Sequence, residues 1–196
     1  MHGALCAALV IAGRQVSVDW REIPLRLGSP VNTRKVLGVG EGCGVFFIGA
    51  KNAFDTEVKG FWNIVRHATA DVHAAGTRES VMASLSGIQQ LIGGGIDVAG
   101  AAQFASTAFV RDAMVSNLGA LSIESHFGKS RLEALWGPAV LLGFEGEQTI
   151  GAATLNGSLS LTHTSHTPHE GLLEAMEAVL IQQACVDRWS KRIVNR

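Results

Sequence analysis

The stretch Leu27 to Ile48, LGSPVNTRKVLGVGEGCGVFFI, constrains the fold more than any other part of the chain. An apolar run ends at Ser29-Pro30, a polar Asn32-Thr33-Arg34-Lys35 segment follows, and Gly38, Gly40, Gly42 and Gly44 punctuate a loop before the apolar Val45-Phe46-Phe47-Ile48. Proline removes a backbone donor and biases its predecessor toward an extended conformation, so the first strand is expected to stop at Ser29-Pro30. The glycines permit positive φ and close approach of another segment. A strand, a basic turn, a glycine-rich crossing and a second strand describe a chain running along the wall of a cavity. No nucleophile–base pair lies within the stretch.

Of the 196 residues 47% are hydrophobic and only 17% charged, against about 25% charged in an ordinary globular domain. One domain spanning 1–196 fits this length, as does one lobe of a larger body. So little charge implies that part of the surface is covered by something else. A net charge of −1 offers no electrostatic attraction for nucleic acid or for an anionic membrane, so neither is expected as a partner. Cys6, Cys43 and Cys185 are widely spaced, form no metal-ligand pattern, and read as reduced thiols of a cytoplasmic protein. No apolar run approaches the roughly 20 residues of a membrane span, and Ala4–Ala12 lacks the basic flank of a signal peptide.

In chain order, Met1–Gln15 reads as a helix, with Leu5, Ala8, Leu9 and Ala12 at helical spacing and Gly13 as its stop. A chain that opens inside an apolar helix, with no capping residue before it, reads as a cut one. Val16–Trp20 and Ile23–Leu27 alternate as strands, and Pro24 confines the second to a sheet edge. Lys51–Asp55 is expected to be a polar loop. Asp55 or Thr56 then caps a helix to Ala75 with Phe61, Ile64, Val65, Ala68 and Val72 on one face. A second helix runs from Thr77 through Leu91, and Gly93-Gly94-Gly95 breaks it. This triplet is a turn or hinge, since no Lys-Ser/Thr follows it to make a phosphate loop. Ala99–Ala108 is helix or loop, and Phe109–Leu121 begins polar and becomes a strand. Val140–Phe144, Thr149–Leu155 and Ser158–Thr164 read as short strands, the last two joined by an Asn156-Gly157 hairpin turn. Pro168 opens a final helix, His169 to about Arg188, with Leu172, Leu173, Met176, Val179, Leu180 and Ala184 on its apolar stripe and Lys191 and Arg192 in the tail.

Three clusters invite a chemical reading. His163, His166 and His169 could converge on a metal only if the Pro168 turn folded them together, so they read as a strand end and turn, with no metal. Ser116 and Asn117, on a strand before Gly119, suit oxyanion or substrate contacts and equally an ordinary buried hydrogen-bond pair. Arg34, two residues after Asn32, needs a carboxylate if it is buried; Asp19, Asp55, Asp112 or a group on another chain could supply one.

Five stretches resemble, in order, the C-terminal half of the chloramphenicol-acetyltransferase-like superfamily, which includes condensation domains, polyketide-associated acyltransferases and alcohol acetyltransferases. Residues 2–14 resemble its mid-chain helix, and Ser29-Pro30-Val31-Asn32-Thr33-Arg34 its (S/T)PVNxR segment. Gly40–Phe46 resembles the vGxxxGxFv that follows, Phe61–Arg66 the FWxxAR helix, and Val115-Ser116-Asn117-Leu118-Gly119 the (V/I)SNxG strand. Gly157–Ala184 matches the closing strand, turn and helix. The family's catalytic His-His-x-x-x-Asp-Gly, carried on its N-terminal half, is absent here.

The resemblance implies an α/β two-layer sandwich: a mixed β-sheet with helices mainly on one face and an unusually apolar edge. It implies no bound cofactor, with acyl-CoA or an acyl-carrier thioester as donor. Arg34 would hold the Asp of the missing motif, with Asn32 beside it, and Ser116 and Asn117 would line the substrate channel. No catalytic residue is assigned on this chain. The expected partner is an N-terminal acyltransferase lobe or a second copy of the chain, with an acyl carrier as a further partner. The function classes left open are an acyltransferase lobe inactive alone, a non-catalytic assembly module, and an enzyme completed across a homodimer by His126 or His163.

Overall fold

A computed structural model of the chain describes residues 1–40, 42–141 and 144–194. Helix α1 (His2–Val16) and the one-turn α2 (Asp19–Glu22) lead into strand β1 (Leu25–Asn32), the one-turn α3 (Arg34–Leu37) and strand β2 (Phe47–Phe54). Helices α4 (Phe61–Ala75), α5 (Arg78–Gly93) and α6 (Val98–Ala108) follow, then strand β3 (Ala113–Leu121). A small ladder of β4 (His126–Phe127) and β5 (Ser130–Arg131) precedes β6 (Gln148–Leu155), β7 (Ser158–Thr164) and α7 (Leu172–Val194).

The main sheet has the order β2-β1-β3-β6-β7. The two outer pairings are antiparallel, and β1–β3 and β3–β6 are parallel, so the sheet is mixed as expected. Helix α1 lies between α4, which also packs on β2, and α7, which also packs on β7. Its residues Leu5 to Val10 are fully buried, so α1 is enclosed on every side rather than along one stripe. That explains its Ala-rich sequence: a helix sandwiched between two helices and a sheet needs small residues for close approach. Leu25, Leu27, Ala113, Val115, Ile150 and Ala152 complete the core from the sheet.

Several local expectations yield to tertiary packing. Gly13 does not end α1; it lies inside the helix beneath the Trp20 ring, which occupies the space a β-carbon would need. Val16–Trp20 forms no strand: Val16 ends α1, Ser17 and Val18 link the two helices, and Trp20 is buried on α2. Strand β1 is central, not an edge, because Pro24 precedes its first residue. It also runs through Pro30 to Asn32. Thr33 N–H bonds to Phe46 O on the β2 side and Arg26 N–H points to Asp112 on the β3 side. Alternation therefore directs the nitrogen of Pro30 toward β3, where ladder pairing has already ended at Gly28–Met114. No donor is needed there.

Lys51–Phe54 belongs to β2 instead of a loop; Asn52 and Phe54 face the helices while Lys51 and Ala53 face out. Gly60, not Asp55 or Thr56, occupies the cap of α4. Thr77 caps α5 through a bond from Ser80 N–H. The expected Val140–Phe144 strand is absent at residues 140, 141 and 144, and residues 142 and 143 lie outside those described. Lys191 and Arg192 fall within α7 rather than in a tail. The edge strands β2 and β7 each expose one large apolar side chain, Phe47 and Leu159, so the expected apolar edge is modest. Exposed apolar side chains gather instead on α5 (Met82, Leu85, Ile88, Ile92), on α6 (Val98, Phe104) and after β3 (Ile123, Phe127, Trp136, Leu141). No helix among the described residues is long and apolar enough to cross a membrane.

Candidate functional site: the parting of the central strands

Adjacent parallel strands β1 and β3 are paired only at Leu27–Ala113 and Gly28–Met114. Beyond those pairs they separate, while β1 stays bonded to β2 and β3 to β6. Crevices at the carboxyl ends of parallel strands are favoured ligand positions because the backbone there is free to turn away and expose side chains. Continuing the β1–β3 register sets Ser116 level with Pro30, with Asn32 at the end of the opposite wall.

The β3 wall carries Ser116 and Asn117. Ala113 and Val115 face the helices, so Met114 and Ser116 face the other side of the sheet. The β3–β6 register shifts between Asn117 and Ala120, a bulge that re-aims the strand. Asn117 Oδ1 accepts from Gly119 N–H at 2.9 Å, and Gly119 takes φ 75°, which favours glycine. The Asn117 carbonyl is thus committed to shaping the bulge, and its amide NH₂ is the group left for a ligand. Ser116 Oγ makes no hydrogen bond among the described residues, so its hydroxyl is available to an incoming oxygen.

The β1 wall ends in Asn32 and Arg34. Asn32 Oδ1 accepts from Arg34 N–H at 2.9 Å and starts the turn of α3. The Arg34 guanidinium donates to Gly40 O at 3.1 Å, Gly42 O at 2.9 Å and Gly44 O at 3.3 Å, and lies 4.5 Å from the centre of the Phe46 ring. The carboxylate expected beside it is replaced, among the described residues, by three carbonyls and an aromatic face. A loop of glycines can turn its carbonyls inward around a cation, and the site is open enough for water to complete the solvation. Of the three carboxylates considered, Asp112 is bound by Arg26, whose Nη2 donates at 2.7 Å to Oδ1 while its backbone N–H and Nε donate to Oδ2.

The histidines do not converge. His163 Nε2 donates to Gln148 Oε1 at 2.8 Å, which also accepts from His169 N–H at 3.0 Å. Gln148, fully buried, donates in turn to Gly146 O, Ser165 Oγ and Thr167 O. The His169 ring stands edge-on to Trp20. Burial lowers the pKa of both histidines, offset in part by Glu174 at His163 and by Asp19 at His169. His166 is exposed. The cluster pins the β6 start to the chain before α7, and no group of potential metal ligands exists among the described residues.

Sequence reasoning missed one further contact. His2 Nε2 lies 2.8 Å from Ser29 Oγ and 3.6 Å from Cys6 Sγ. Ser29 and Cys6 are buried, burial and then the nearby terminal ammonium push the His2 pKa down, and burial pushes the Cys6 thiol up to about 12. A protonated, enclosed thiol and a sealed hydroxyl fasten α1 to β1 instead of doing chemistry. The i,i+4 pairing of His2 with Cys6 was visible on a helix; Ser29 was not.

No family model matches this chain, and no curated protein does. Among the solved structures similar to it are two with these likenesses. One is a structure on condensation domain-mediated chain release from the enacyloxin polyketide synthase, with 9% identity and a TM-score of 0.51 over 91% of this chain and 34% of that one. The other is polyketide synthase associated protein 5 from Mycobacterium tuberculosis, with 14% identity and a TM-score of 0.47 over 91% of this chain and 44% of that one. The first likeness shows the fold: a chloramphenicol-acetyltransferase-like α/β sandwich. The chain spans about a third of the length of that condensation-domain structure.

Proposed function

We propose that this chain is the C-terminal lobe of a condensation-type acyltransferase that moves an acyl group from a CoA or carrier thioester to a hydroxyl or amine, and that it is inactive alone. The observation that carries this is the excursion between β3 and β6. Those strands are neighbours, yet residues 122–147 join them by a long arm in which the β4–β5 ladder is the only regular structure among the described residues. Along it Ile123, Phe127 and Trp136 are 42%, 57% and 69% exposed. An apolar arm of this kind is what a lobe would lay across a partner.

The reaction needs a base, and no histidine stands on the strand ends that flank the crevice. The partner lobe's histidine takes the proton from the acceptor as it attacks the thioester carbonyl; the tetrahedral intermediate then collapses, expelling a thiolate that receives that proton. In this reading Ser116 O–H donates to the oxyanion, and the Asn117 amide lines the substrate channel. Arg34, with Asn32 ordering its turn, offers its guanidinium to the carboxylate of the partner's motif. Cys6, Cys43 and Cys185 are free thiols, in keeping with a cytoplasmic setting.

Mixing the purified chain with a matching N-terminal lobe, and following acyl transfer, tests the proposal. Transfer by the mixture alone, reduced about 10-fold or more by Ser116→Ala, is expected. Transfer by the chain alone, or a stable two-lobe complex that transfers nothing, overturns it. A non-catalytic module that self-associates through the same arm is the second reading, favoured by the same exposed residues. It predicts a homo-oligomer that Trp136→Asp dissociates and that gains no activity from a partner lobe.

A further inference from the structure

The segment between α4 and β3 does not share in the core. Helix α5 buries Val81 alone, and α6 buries no residue. Along α5 the apolar residues Val81, Leu85, Ile88 and Ile92 recur at spacings of four, three and four, the seam of a helix that packs along another helix. Val81 enters the body of the protein, while Leu85, Ile88 and Ile92 are 41%, 52% and 67% exposed. Helix α6 with its C-cap residue Phe109 repeats the spacing in Val98, Ala102, Ala105 and Phe109, with small residues at its centre where α5 has large ones. The two seams match, yet neither covers the other within the chain.

We infer that α5 and α6 pack against the same two helices of a second copy, in an isologous contact separate from the acyltransferase reading. Three physical points favour this occupant. First, three Ser and two Gly among the 16 residues of α5 lower its intrinsic helix propensity, so in water it needs a packing partner. Second, Asp97 is the only ionisable residue from Ser80 to Val110, and its side chain is engaged in capping α6 through Gly100 N–H. A surface without charge pairs with its own copy at no cost in like-charge repulsion, and a two-fold axis lets each large seam meet a small one. Third, a helix that lies on a lipid surface carries Lys or Arg on its polar face. The polar positions of α5 beyond its first turn are Ser84, Ser86, Gln89 and Gln90.

Sedimentation equilibrium of the full chain under reducing conditions, over a wide concentration range, tests the contact. A dimer is expected, weakened about 10-fold or more by Ile88→Asp, since an ionised carboxylate in the seam is poorly tolerated. Gln90→Asp, on the opposite side of α5, should leave the association intact. Ala102→Glu probes the second helix by the same readout, and circular dichroism checks that each variant is folded. A monomer at every concentration, or a dimer that folded Ile88→Asp and Ala102→Glu leave unchanged, overturns the inference. So does a monomer that binds phosphatidylcholine vesicles through Ile88.

Discussion

Arg111 lies directly against Gly28, where a β-carbon would come within 2.8 Å of Arg111 Cδ. Arg111 cannot simply swing aside, because its Nε donates at 2.6 Å to Glu147, whose side chain is only 3% exposed. Gly28 is also the last β1 residue paired to β3, so the close approach occurs where the crevice opens. Gly28→Val should therefore destabilise the chain by about 1–3 kcal/mol through overpacking. Urea unfolding measures it; an unchanged midpoint would show that Arg111 has room to move.

Gln148 is the densest buried hydrogen-bond centre of the sheet. Gln148→Leu keeps the approximate volume but strips partners from His163, His169 N–H, Gly146 O and Thr167 O together. The expected cost is about 3–5 kcal/mol, the range for losing a buried polar network. A loss below about 1 kcal/mol in denaturant titration would mean that water or repacking replaces the network.

Arg34 organises the glycine loop more than it stabilises the whole protein. Arg34→Ala should cost about 1 kcal/mol, since the bonds are partly exposed. It should also accelerate amide hydrogen exchange through residues 38–46 while leaving β3 and β6 protected. Arg34→Lys, a point charge without the planar fork, should recover only part of that protection. Equal exchange in all three proteins would remove the assigned role.

The histidines make stability fall on acidification. Burial holds the pKa values of His2, His163 and His169 below their ordinary value of 6.5. Above 6.5 both folded and unfolded chains carry these rings neutral, and the stability is whole. As pH drops below 6.5 the unfolded chain binds protons first, and stability declines until the folded pKa values are reached. Denaturant midpoints should decrease from pH 7.5 to about 5.5, and His163→Gln should flatten the slope. A midpoint independent of pH would refute the assignment.

Local sequence was decisive where structure depends on near neighbours. Asn156 and Gly157, both with positive φ, make the two-residue hairpin that an Asn-Gly pair favours, and Leu155 faces Ser158 across it. The break after α5 at the glycine triplet and the stripe of Leu172, Met176 and Val179 along α7 follow from the same short-range rules. The spaced motifs around Arg34 and Ser116 likewise pointed to the fold.

Contacts between distant residues decided the rest. Pro30 continues β1 only because β3 has already turned away, and Gly13 sits in mid-helix because Trp20 needs its space. Arg34 finds carbonyls instead of a carboxylate because the glycine loop folds back over it. Periodicity and turn chemistry act over a few residues, whereas these choices depend on which segments, tens of residues apart, the close-packed core brings together.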